Sequence, residues 1–263
     1  MNNKQPWALI LGASSGFGEA TALELARTGM NIFGVHLDRH DRQPYVEKLQ
    51  EKIRGTGRDC QFFNCNASDD EMRQETIGKI KARIAEPPGV LRVLMHSLAM
   101  AFMKPLVGAE QVIAKKQLEI TVDTMGHSLV YWVQDCLRAG LFDWGGRIFA
   151  MTSAGSSETI PNYGAVSAAK AALEAHIRQL AVELAPAGIT ANAILAGVTD
   201  TPALRLIPHH EKLIESAKIR NPHKRLGTPE DVARTVAALC HPATYWLTGN
   251  TLRVDGGESI VAV

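Results

Sequence analysis

The beginning of the chain combines an apolar run, a glycine-rich turn and a helical pattern, and few folds accommodate this combination. The apolar run at residues 7–11 (WALIL) is followed by the turn at residues 12–18 (GASSGFG), and apolar side chains then recur at helical spacing up to Gly29. A turn of this kind lets the backbone approach a phosphate closely, and it directs the free N–H groups of a helix N-terminus at the anion. We therefore interpret it as a dinucleotide-binding turn, with a purely structural turn as the alternative.

The alternation of strands and helices continues along the rest of the sequence. Strands are predicted at residues 7–11, 31–37, 60–65, 91–96, 146–151, 189–195 and 250–254. Helices are predicted between them, at residues 45–54, from 68, from about 110 to 139, from 163 to 185 and from 228. Such alternation predicts a parallel, doubly wound sheet. We expect an α/β protein in which residues 1–263 form a single-domain Rossmann fold, with a seven-stranded parallel sheet and helices on both faces.

Length and charge narrow the classes of partner. The 263 residues suffice for one large core, and 28 Lys and Arg nearly balance 27 Asp and Glu. No basic block is present that would attract a nucleic acid or a membrane surface. No apolar run approaches the length of about 18 residues that a membrane span needs. We therefore expect a small-molecule ligand, no nucleic acid and no membrane.

Cysteine and histidine usage gives no indication of a metal site. The four cysteines show neither a CxxC pair nor the ligand spacing of a zinc site, and they are Cys60, Cys65, Cys136 and Cys240. His209 and His210 are adjacent but have no third ligand nearby, a pattern more typical of solvated side chains. The sequence from Met1 leads directly into a strand-like run without a signal peptide. We expect a reduced, cytoplasmic protein without a metal.

Tyr163 and Lys170 lie seven residues apart at the start of an alanine-rich helical segment. At about 100° per residue, both side chains fall on one face of the helix. A phenol has a pKa of about 10, and a neighbouring cation that lowers this pKa makes it a proton donor near neutral pH. An isolated pair of this type is usually a surface tyrosine and a solvated lysine, so its surroundings decide its meaning.

The surroundings of this pair are predicted from the sheet. Ligands of doubly wound sheets bind beyond the carboxyl ends of the strands. The residues that follow the predicted strands therefore share one rim: the glycine turn, the region of Asp38 and Arg39, Asn66, Ser97, Ser153 and Gly197. Tyr163 begins its helix ten residues after Ser153, so the pair lies beside the predicted cofactor cleft.

Over essentially its full length the chain resembles the short-chain dehydrogenase/reductase family. Residues 12–18 match the cofactor turn of that family, Ser153 its serine after the fifth strand, and residues 252–257 (LRVDGG) its closing strand. Gly197 and Thr201 match its loop after the sixth strand. The resemblance implies a bound nicotinamide dinucleotide and cofactor-binding residues at Gly12, Ser14, Ser15, Gly16, Phe17, Gly18, His36, Arg39, Asn66, Ala67, Ser97, Leu98, Ala99, Lys170, Gly197, Val198 and Thr201.

The chain also departs from most carbonyl-reducing members of that family. Those members carry a tyrosine four residues before the lysine, a position that is Val166 here. The Asn-Ala-Gly run after the fourth strand reads HSLA at residues 96–99, and the asparagine of the following helix is Asp123. These departures are similar to the enoyl-thioester reductases of bacterial fatty-acid synthesis, whose motif is Tyr-x6-Lys. Within that branch, Ser153 and residues 199–204 resemble the type III enzymes, whereas residues 96–97 resemble type I.

The enoyl-reductase resemblance implies transfer of hydride from NADPH or NADH to a trans-2-enoyl thioester, carried by acyl carrier protein or coenzyme A. Tyr163 would donate to the oxygen on which enolate charge develops. Lys170 would hold the nicotinamide ribose and lower the pKa of Tyr163. Ser153 would orient the substrate or a loop, or be a hydroxyl satisfied at a strand end. Two alternatives remain: a carbonyl, hydroxysteroid-type or 3-oxoacyl dehydrogenase, and a non-catalytic dinucleotide-sensing protein.

The sequence contains opposing indications for the choice of cofactor. Asp38 lies twenty residues after Gly18, where an acid binds the ribose 2′-hydroxyl and repels a 2′-phosphate. In the register of the family, however, the acid position falls on His36. Arg39 and Arg42 are close enough in sequence to bind a phosphate together. The arginines favour NADPH, and NADH is the alternative.

Two further expectations concern the substrate and the assembly. Residues 200–225 separate the sixth strand from the last helix and have the character of a lid at about these positions. The apolar side chains that would form a wall for an acyl chain are Leu204, Leu206, Ile207, Leu213 and Ile214. The helix at 163–185 is rich in alanine and that at 110–139 in other apolar residues, consistent with faces buried between subunits, and the family resemblance implies a homotetramer or homodimer.

Overall fold

The computed structural model describes residues 4–261. Residues 1–3, where the sequence predicted no signal peptide, and residues 262–263 lie outside this range. Within it, seven parallel strands form one sheet in the order β3-β2-β1-β4-β5-β6-β7. The strands are β1 (Gln5–Leu11), β2 (Asn31–His36), β3 (Cys60–Asn64), β4 (Gly89–His96), β5 (Phe142–Thr152), β6 (Thr190–Ala196) and β7 (Thr251–Val254). The predicted parallel, doubly wound sheet is therefore confirmed.

Most helices lie near the predicted positions, with one exception, and two further helices lie within residues 200–225, where none was predicted. They are α1 (Gly16–Arg27), α2 (Gln43–Arg54), α3 (Asp70–Arg83), α4 (Lys115–Val122), α5 (Ser128–Arg138), α6 (Gly164–Leu184), α7 (Pro202–Arg205), α8 (His210–Arg220) and α9 (Pro229–Leu239). No helix within residues 4–261 combines the length and apolar character that crossing a bilayer requires.

The exception is the helix predicted from about 110 to 139. The prediction was wrong about where this helix begins and about its continuity. Gly108 adopts a positive φ of +78° in a bend, so the preceding chain is not helical. The helix begins at Lys115, where the Gln117 side chain accepts a hydrogen bond from the Ala114 N–H at 3.2 Å. A π-helical turn, Asp123–His127, then separates α4 from α5. Such turns are frequent at functional sites, and residues of this one line the cavities described below.

The strands are buried because helices cover both faces of the sheet. Side chains of β1 alternate between two hydrophobic clusters: Trp7, Leu9 and Leu11 belong to one, and Ala8 and Ile10 to the other. The first cluster includes residues of α3, α5 and α6, and the second includes residues of α1, α2 and α9. Parallel strands buried in this way require continuous apolar runs, which is why their positions could be recognised in the sequence.

The strand order places the ligand crevice between β1 and β4. β1 leads through α1 to β2 on one side, whereas β4 continues to β5 on the other. Ligands of open α/β sheets bind at such a reversal, beyond the carboxyl ends of the strands. Leu11 pairs with His96 at these ends, so the glycine turn and Ser97 both open into the crevice.

A buried ion pair connects two helices on one face of the sheet. Arg73 of α3 donates from Nε to Asp135 Oδ2 of α5 at 2.6 Å, and both residues are buried. Arg73 also donates from Nη2 to Asp70 at 2.8 Å, but the Asp70 side chain is 83% exposed. Removing one partner of a buried pair leaves an uncompensated charge, whereas an exposed pair contributes little.

We expect Asp135→Ala to lower the free energy of unfolding by about 3–5 kcal/mol, because Arg73 would remain buried without its principal partner. Asp70→Ala is the matched control, and its effect should stay below about 1 kcal/mol. Urea unfolding followed by circular dichroism measures both. Equal losses in the two variants would contradict the assignment of the buried pair as the tie between α3 and α5.

Candidate active site

The crevice contains a cavity of about 450 Å³, which we call the cofactor cavity. Most residues that the sequence assigned to the cofactor line it: Gly12, Ser14, Ser15, Gly16, Phe17, His36, Asn66, Ala67, Ser97, Leu98, Ala99, Lys170 and Thr201. Gly197 and Val198 line an adjacent cavity instead. Gly18 is buried within the turn, and Arg39 is exposed and lines neither cavity.

The turn after β1 has a form that suits a pyrophosphate. A Cβ at Gly18 would lie 2.0 Å from Gly12 O, and a Cβ at Gly12, whose φ is +86°, would lie 2.4 Å from Ser97 O. Glycine is therefore required at both positions. Ser15, the N-cap residue of α1, makes no side-chain capping hydrogen bond within the described chain, so the first N–H groups of α1 remain available to an anion. These features fit the phosphates of a dinucleotide.

One end of the cofactor cavity presents a carboxylate. Asp38 lines the cavity just beyond β2, and Arg42 Nε lies 3.6 Å from its Oδ1. His36 donates from Nδ1 to Asp38 Oδ2 at 2.9 Å, because a carboxylate oxygen can only accept. Burial lowers the pKa of His36, although Asp38 opposes this shift. Asn64 holds the backbone of Asp38 through hydrogen bonds of 3.0 and 2.9 Å, which fixes the position of the carboxylate.

A second cavity of about 400 Å³, which we call the acyl cavity, adjoins the first. Four of the side chains predicted to form an apolar wall line it: Leu204, Leu206, Ile207 and Leu213. Ile214 does not line the cavity. A parallel bridge between Thr199 and Gly227 closes the base of the segment that carries these residues. A mostly apolar cavity of this size suits an acyl chain.

Tyr163 and Ser153 line both cavities. Tyr163 immediately precedes α6, Ser153 follows β5, and their hydroxyl oxygens are 3.5 Å apart. Val166 is buried, packs with Met125 and Ala169, and lines only the acyl cavity. The two hydroxyls that the sequence predicted as catalytic therefore lie where the cavities meet, and position 166 contributes an aliphatic wall.

Lys170 is buried and lines the cofactor cavity, but its contacts differ from those expected. Its Nζ donates to Met151 O at 2.7 Å. Burial lowers the pKa of Lys170 to about 8, although Glu174 opposes this shift. Burial raises the pKa of Tyr163, and the Ser153 hydrogen bond offsets only part of the rise. The expectation that Lys170 lowers the pKa of Tyr163 was wrong, because the ammonium binds a strand carbonyl and no hydrogen bond in the described chain joins it to the phenol.

Two charged residues of the acyl cavity, Arg220 and Glu258, were not identified from the sequence. Glu258 Oε1 accepts from Arg220 Nη2 at 3.2 Å, and Glu258 Oε2 accepts from the Val198 N–H at 3.1 Å. The sequence contained one indication of Glu258: it is a charged residue directly after residues 256–257, at the end of the closing strand motif. Its partners lie 38 and 60 positions away, and no local pattern reveals such distant contacts.

The residues with metal-binding chemistry are dispersed. Within residues 4–261, no three His, Cys, Asp or Glu side chains are arranged to hold a metal ion. His210 lies with Nδ1 3.2 Å from Ile207 O and with Nε2 3.4 Å from Glu211 Oε1. His209 begins α8 as its N-cap residue.

The chain is similar to known proteins over nearly its whole length. The family model described as enoyl-(acyl carrier protein) reductase matches residues 12–259. The 1-cyclohexenylcarbonyl-CoA reductase of Streptomyces collinus is 32% identical over 97% of this chain and 87% of its own. The enoyl-(acyl-carrier-protein) reductase (NADH) of Aquifex aeolicus is 31% identical over 84% of this chain and 80% of its own.

Solved structures agree with these sequence relationships. The crystal structure of the enoyl-(acyl-carrier-protein) reductase (NADH) from Aquifex aeolicus superposes with a TM-score of 0.83, at 27% identity, over 98% of both chains. The match of the family model covers nearly the whole chain, including the glycine turn, Tyr163 and Lys170. The chain therefore belongs to the enoyl-(acyl carrier protein) reductase family of short-chain dehydrogenases/reductases, which are NAD(P)H-dependent oxidoreductases.

Proposed function

We propose that this protein reduces the carbon–carbon double bond of a trans-2-enoyl thioester at the junction of the cofactor and acyl cavities. The observation that carries the proposal is the position of Tyr163, which lines both cavities beside Ser153. The aliphatic Val166, at the position of the phenol in most carbonyl reductases, supports reduction of C=C rather than of C=O. The enoyl reductases among the relatives support the same reaction.

The proposed roles of the side chains follow from the direction of electron flow. A dihydronicotinamide bound in the cofactor cavity would supply the hydride for the β-carbon. The electrons of the double bond would then move toward the thioester oxygen, where enolate charge develops, and the α-carbon would finally take a proton from water. Tyr163 stabilises this oxygen by donating its hydroxyl hydrogen, and a donor placed where charge develops lowers the barrier. Since burial raises the pKa of Tyr163, the hydroxyl keeps its proton throughout the neutral pH range.

Lys170 and Ser153 prepare the site for this step. Lys170 is fixed by Met151 O, which accepts one of its hydrogens at 2.7 Å, and the remaining ammonium hydrogens are available to the ribose hydroxyls of the cofactor. Ser153 lies within 3.5 Å of the Tyr163 hydroxyl and orients it between the two cavities. The junction of the two cavities is thus bordered by groups that can bind the cofactor, orient the Tyr163 hydroxyl and donate a hydrogen bond to the substrate.

We infer that NADH is the preferred cofactor, which reverses the preference that Arg39 and Arg42 suggested. The fixed carboxylate of Asp38 supports this inference, because it accepts from a ribose 2′-hydroxyl and repels a 2′-phosphate. Arg42 lies against the same carboxylate, and Arg39 is outside the cavity. The relative from Aquifex aeolicus is named for NADH, in agreement with this choice.

The biological setting follows as part of the same proposal. We propose a role in fatty-acid biosynthesis in the cytoplasm, with the enoyl group carried by acyl carrier protein or coenzyme A. Residues 200–225 act as the lid of a single-domain enzyme, and their apolar side chains over the acyl cavity support this role.

We also propose a homotetramer or homodimer. The exposed face of α6 supports it, because it carries Ala168, Ala171, Ala175 and Val182.

Activity tests separate the reduction of C=C from that of C=O. Purified protein is mixed with crotonyl-CoA and, separately, with acetoacetyl-CoA, and oxidation of NADH and of NADPH is followed by absorbance. The proposal expects turnover of crotonyl-CoA. Turnover restricted to acetoacetyl-CoA would instead assign a carbonyl reductase, and binding of the cofactor without any turnover would favour a dinucleotide sensor.

We expect Tyr163→Phe to lower kcat for crotonyl-CoA by about 100-fold or more, because it removes a hydrogen-bond donor at the developing enolate. Binding of the cofactor, measured by nicotinamide fluorescence, should be retained. Tyr245→Phe makes the same chemical change outside both cavities and should leave kcat unaltered. If Tyr163→Phe retained the full rate, the hydroxyl of Tyr163 would have no part in the reaction.

We expect kcat/KM to be at least about tenfold higher with NADH than with NADPH, because Asp38 repels the 2′-phosphate. Asp38→Asn should reduce this ratio by removing the charge, whereas Asp41→Asn, at an exposed position nearby, should preserve it. Steady-state kinetics with both cofactors measure the ratio. A wild-type preference for NADPH would refute the assignment of Asp38.

A further inference from the structure

Glu258 connects three separate parts of the chain through one buried carboxylate. It lies in the short 3-10 turn Glu258–Ile260 that follows β7, and it is 5% exposed. Its Oε2 accepts from the Val198 N–H, in the loop after β6, and its Oε1 accepts from Arg220 Nη2, at the end of α8. The carboxylate therefore joins the segment after the closing strand, the loop after β6 and the proposed lid.

The loop after β6 is shaped to receive this carboxylate. A Cβ at Gly197 would lie 2.8 Å from Glu258 Oε2, closer than such atoms normally approach. Glycine at this position therefore allows the contact between Glu258 and the Val198 N–H. Both loop residues were assigned to the cofactor on family resemblance; both line the acyl cavity, and Thr201, further along the same loop, lines both cavities.

The other partner, Arg220, belongs to the acyl cavity as well. It ends α8, the helix that contributes Leu213 to the cavity wall. The next residue, Asn221, is buried and donates from Nδ2 to Asp255 O at 3.1 Å. The end of α8 is therefore held against the segment after β7 both by an ion pair and by a hydrogen bond to the backbone.

The turn that carries Glu258 is itself rigid. Asp255 Oδ1 accepts from the Gly257 N–H at 3.0 Å, and its Oδ2 accepts from the Ser259 N–H at 3.1 Å. These bonds on both sides of Glu258 fix its backbone. A fixed carboxylate can position its two partners, whereas a mobile one would merely follow them.

We propose that Glu258 is a positioning residue that couples the cofactor cavity to the acyl cavity, because it holds the Gly197–Val198 loop and the end of α8 in one arrangement. The proposal rests on the proposed function, in which the cofactor lies in the cofactor cavity and the acyl group lies beneath residues 200–225. Because Glu258 links the loop to the end of α8, an acyl ligand that orders the end of α8 also orders the loop. Coupling of this kind is reciprocal, so each ligand should strengthen the binding of the other.

The protonation of Glu258 gives this coupling a pH signature. Burial raises its pKa above the usual 4.5; the Val198 N–H and Arg220 of α8 oppose the rise, and Asp255 of the same segment and Glu158 of the loop after β5 add to it. As the pH falls, the carboxyl group therefore takes up a proton earlier than an ordinary glutamate and loses its ion pair with Arg220. The coupling should be present above this raised pKa and disappear below it.

The test measures the affinity for NADH by fluorescence, with and without saturating butyryl-CoA, which has no double bond to reduce. We expect butyryl-CoA to tighten the binding of NADH to the wild-type protein at pH 7.5. Glu258→Ala should weaken the binding of NADH about tenfold and abolish the effect of butyryl-CoA, because Arg220 and the Val198 N–H lose their acceptor. Arg220→Met should abolish the effect of butyryl-CoA while the Val198 contact remains. Glu215→Gln, on the exposed side of α8, is the control and should behave as wild type.

A pH series adds a measurement that a purely structural role of Glu258 would leave unchanged. As the pH is lowered from 7.5, the wild-type protein should lose the effect of butyryl-CoA before an ordinary glutamate would be protonated, whereas Glu258→Gln, which has no carboxyl group to protonate, should show no such transition. This comparison also decides the question if Glu258→Ala fails to fold, as judged by circular dichroism.

The outcomes distinguish this inference from the proposed function. If the wild-type protein binds neither NADH nor NADPH, the proposed function fails. If it binds the cofactor but Glu258→Ala keeps the wild-type affinity and the wild-type response to butyryl-CoA, the coupling by Glu258 is refuted. A weaker affinity with an unchanged response to butyryl-CoA, or a wild-type pH transition in Glu258→Gln, would refute it as well.

Discussion

The close approach of two backbone segments at the turn after β1 makes the rest of the site possible. Gly18 lies against the carbonyl oxygen of Gly12, and Gly12 lies against that of Ser97, with no space for a Cβ at either glycine. β1 and β4 can therefore end side by side while α1 starts at their common edge. A side chain at either position would displace α1 from the sheet, and the N–H groups at its start would no longer face the crevice.

Burial has different consequences for the two titratable groups at the centre of the site. It raises the pKa of Tyr163 and lowers that of Lys170, since burial disfavours the charged form of each group. The phenol therefore remains a donor, and the lysine requires an acceptor, which Met151 O provides. The same exclusion of water strengthens any hydrogen bond that Tyr163 donates to a developing negative charge. A neutral phenol and an anchored ammonium are thus two results of one buried location.

The sequence predicted those features that depend on local pattern. The strands could be located because burial on both faces demands apolar runs, and Tyr163 could be placed on the rim because only the loop at residues 153–163 separates β5 from α6. The start of α4 could not be located, since it depends on the bend at Gly108 and on the side chain of Gln117. The direction of the Tyr163 pKa shift depends on how deeply the phenol is buried, which spacing along a helix does not reveal.

Other parts of the site could not be predicted from local sequence pattern, for a different reason. The acceptor of Lys170 is a backbone carbonyl, and every residue has one, so the sequence cannot single out Met151. Glu258 depends on contacts with residues 38 and 60 positions earlier in the chain. The family resemblance supplied the closing strand and its two glycines but assigned nothing to the residue after them. Side chains that act through distant partners become visible only when the chain is folded.

The position of Glu258 along the chain has a consequence for the order in which the site is built. The glycine turn lies between β1 and α1, whereas Glu258 follows β7, so most of the sequence separates the two ends of the site. During synthesis the turn emerges from the ribosome long before Glu258 does. Until the segment after β7 has docked on the sheet, the Val198 N–H and Arg220 lack their common acceptor. The loop after β6, which lines the acyl cavity through Gly197 and Val198, is therefore completed only when the edge of the sheet is in place.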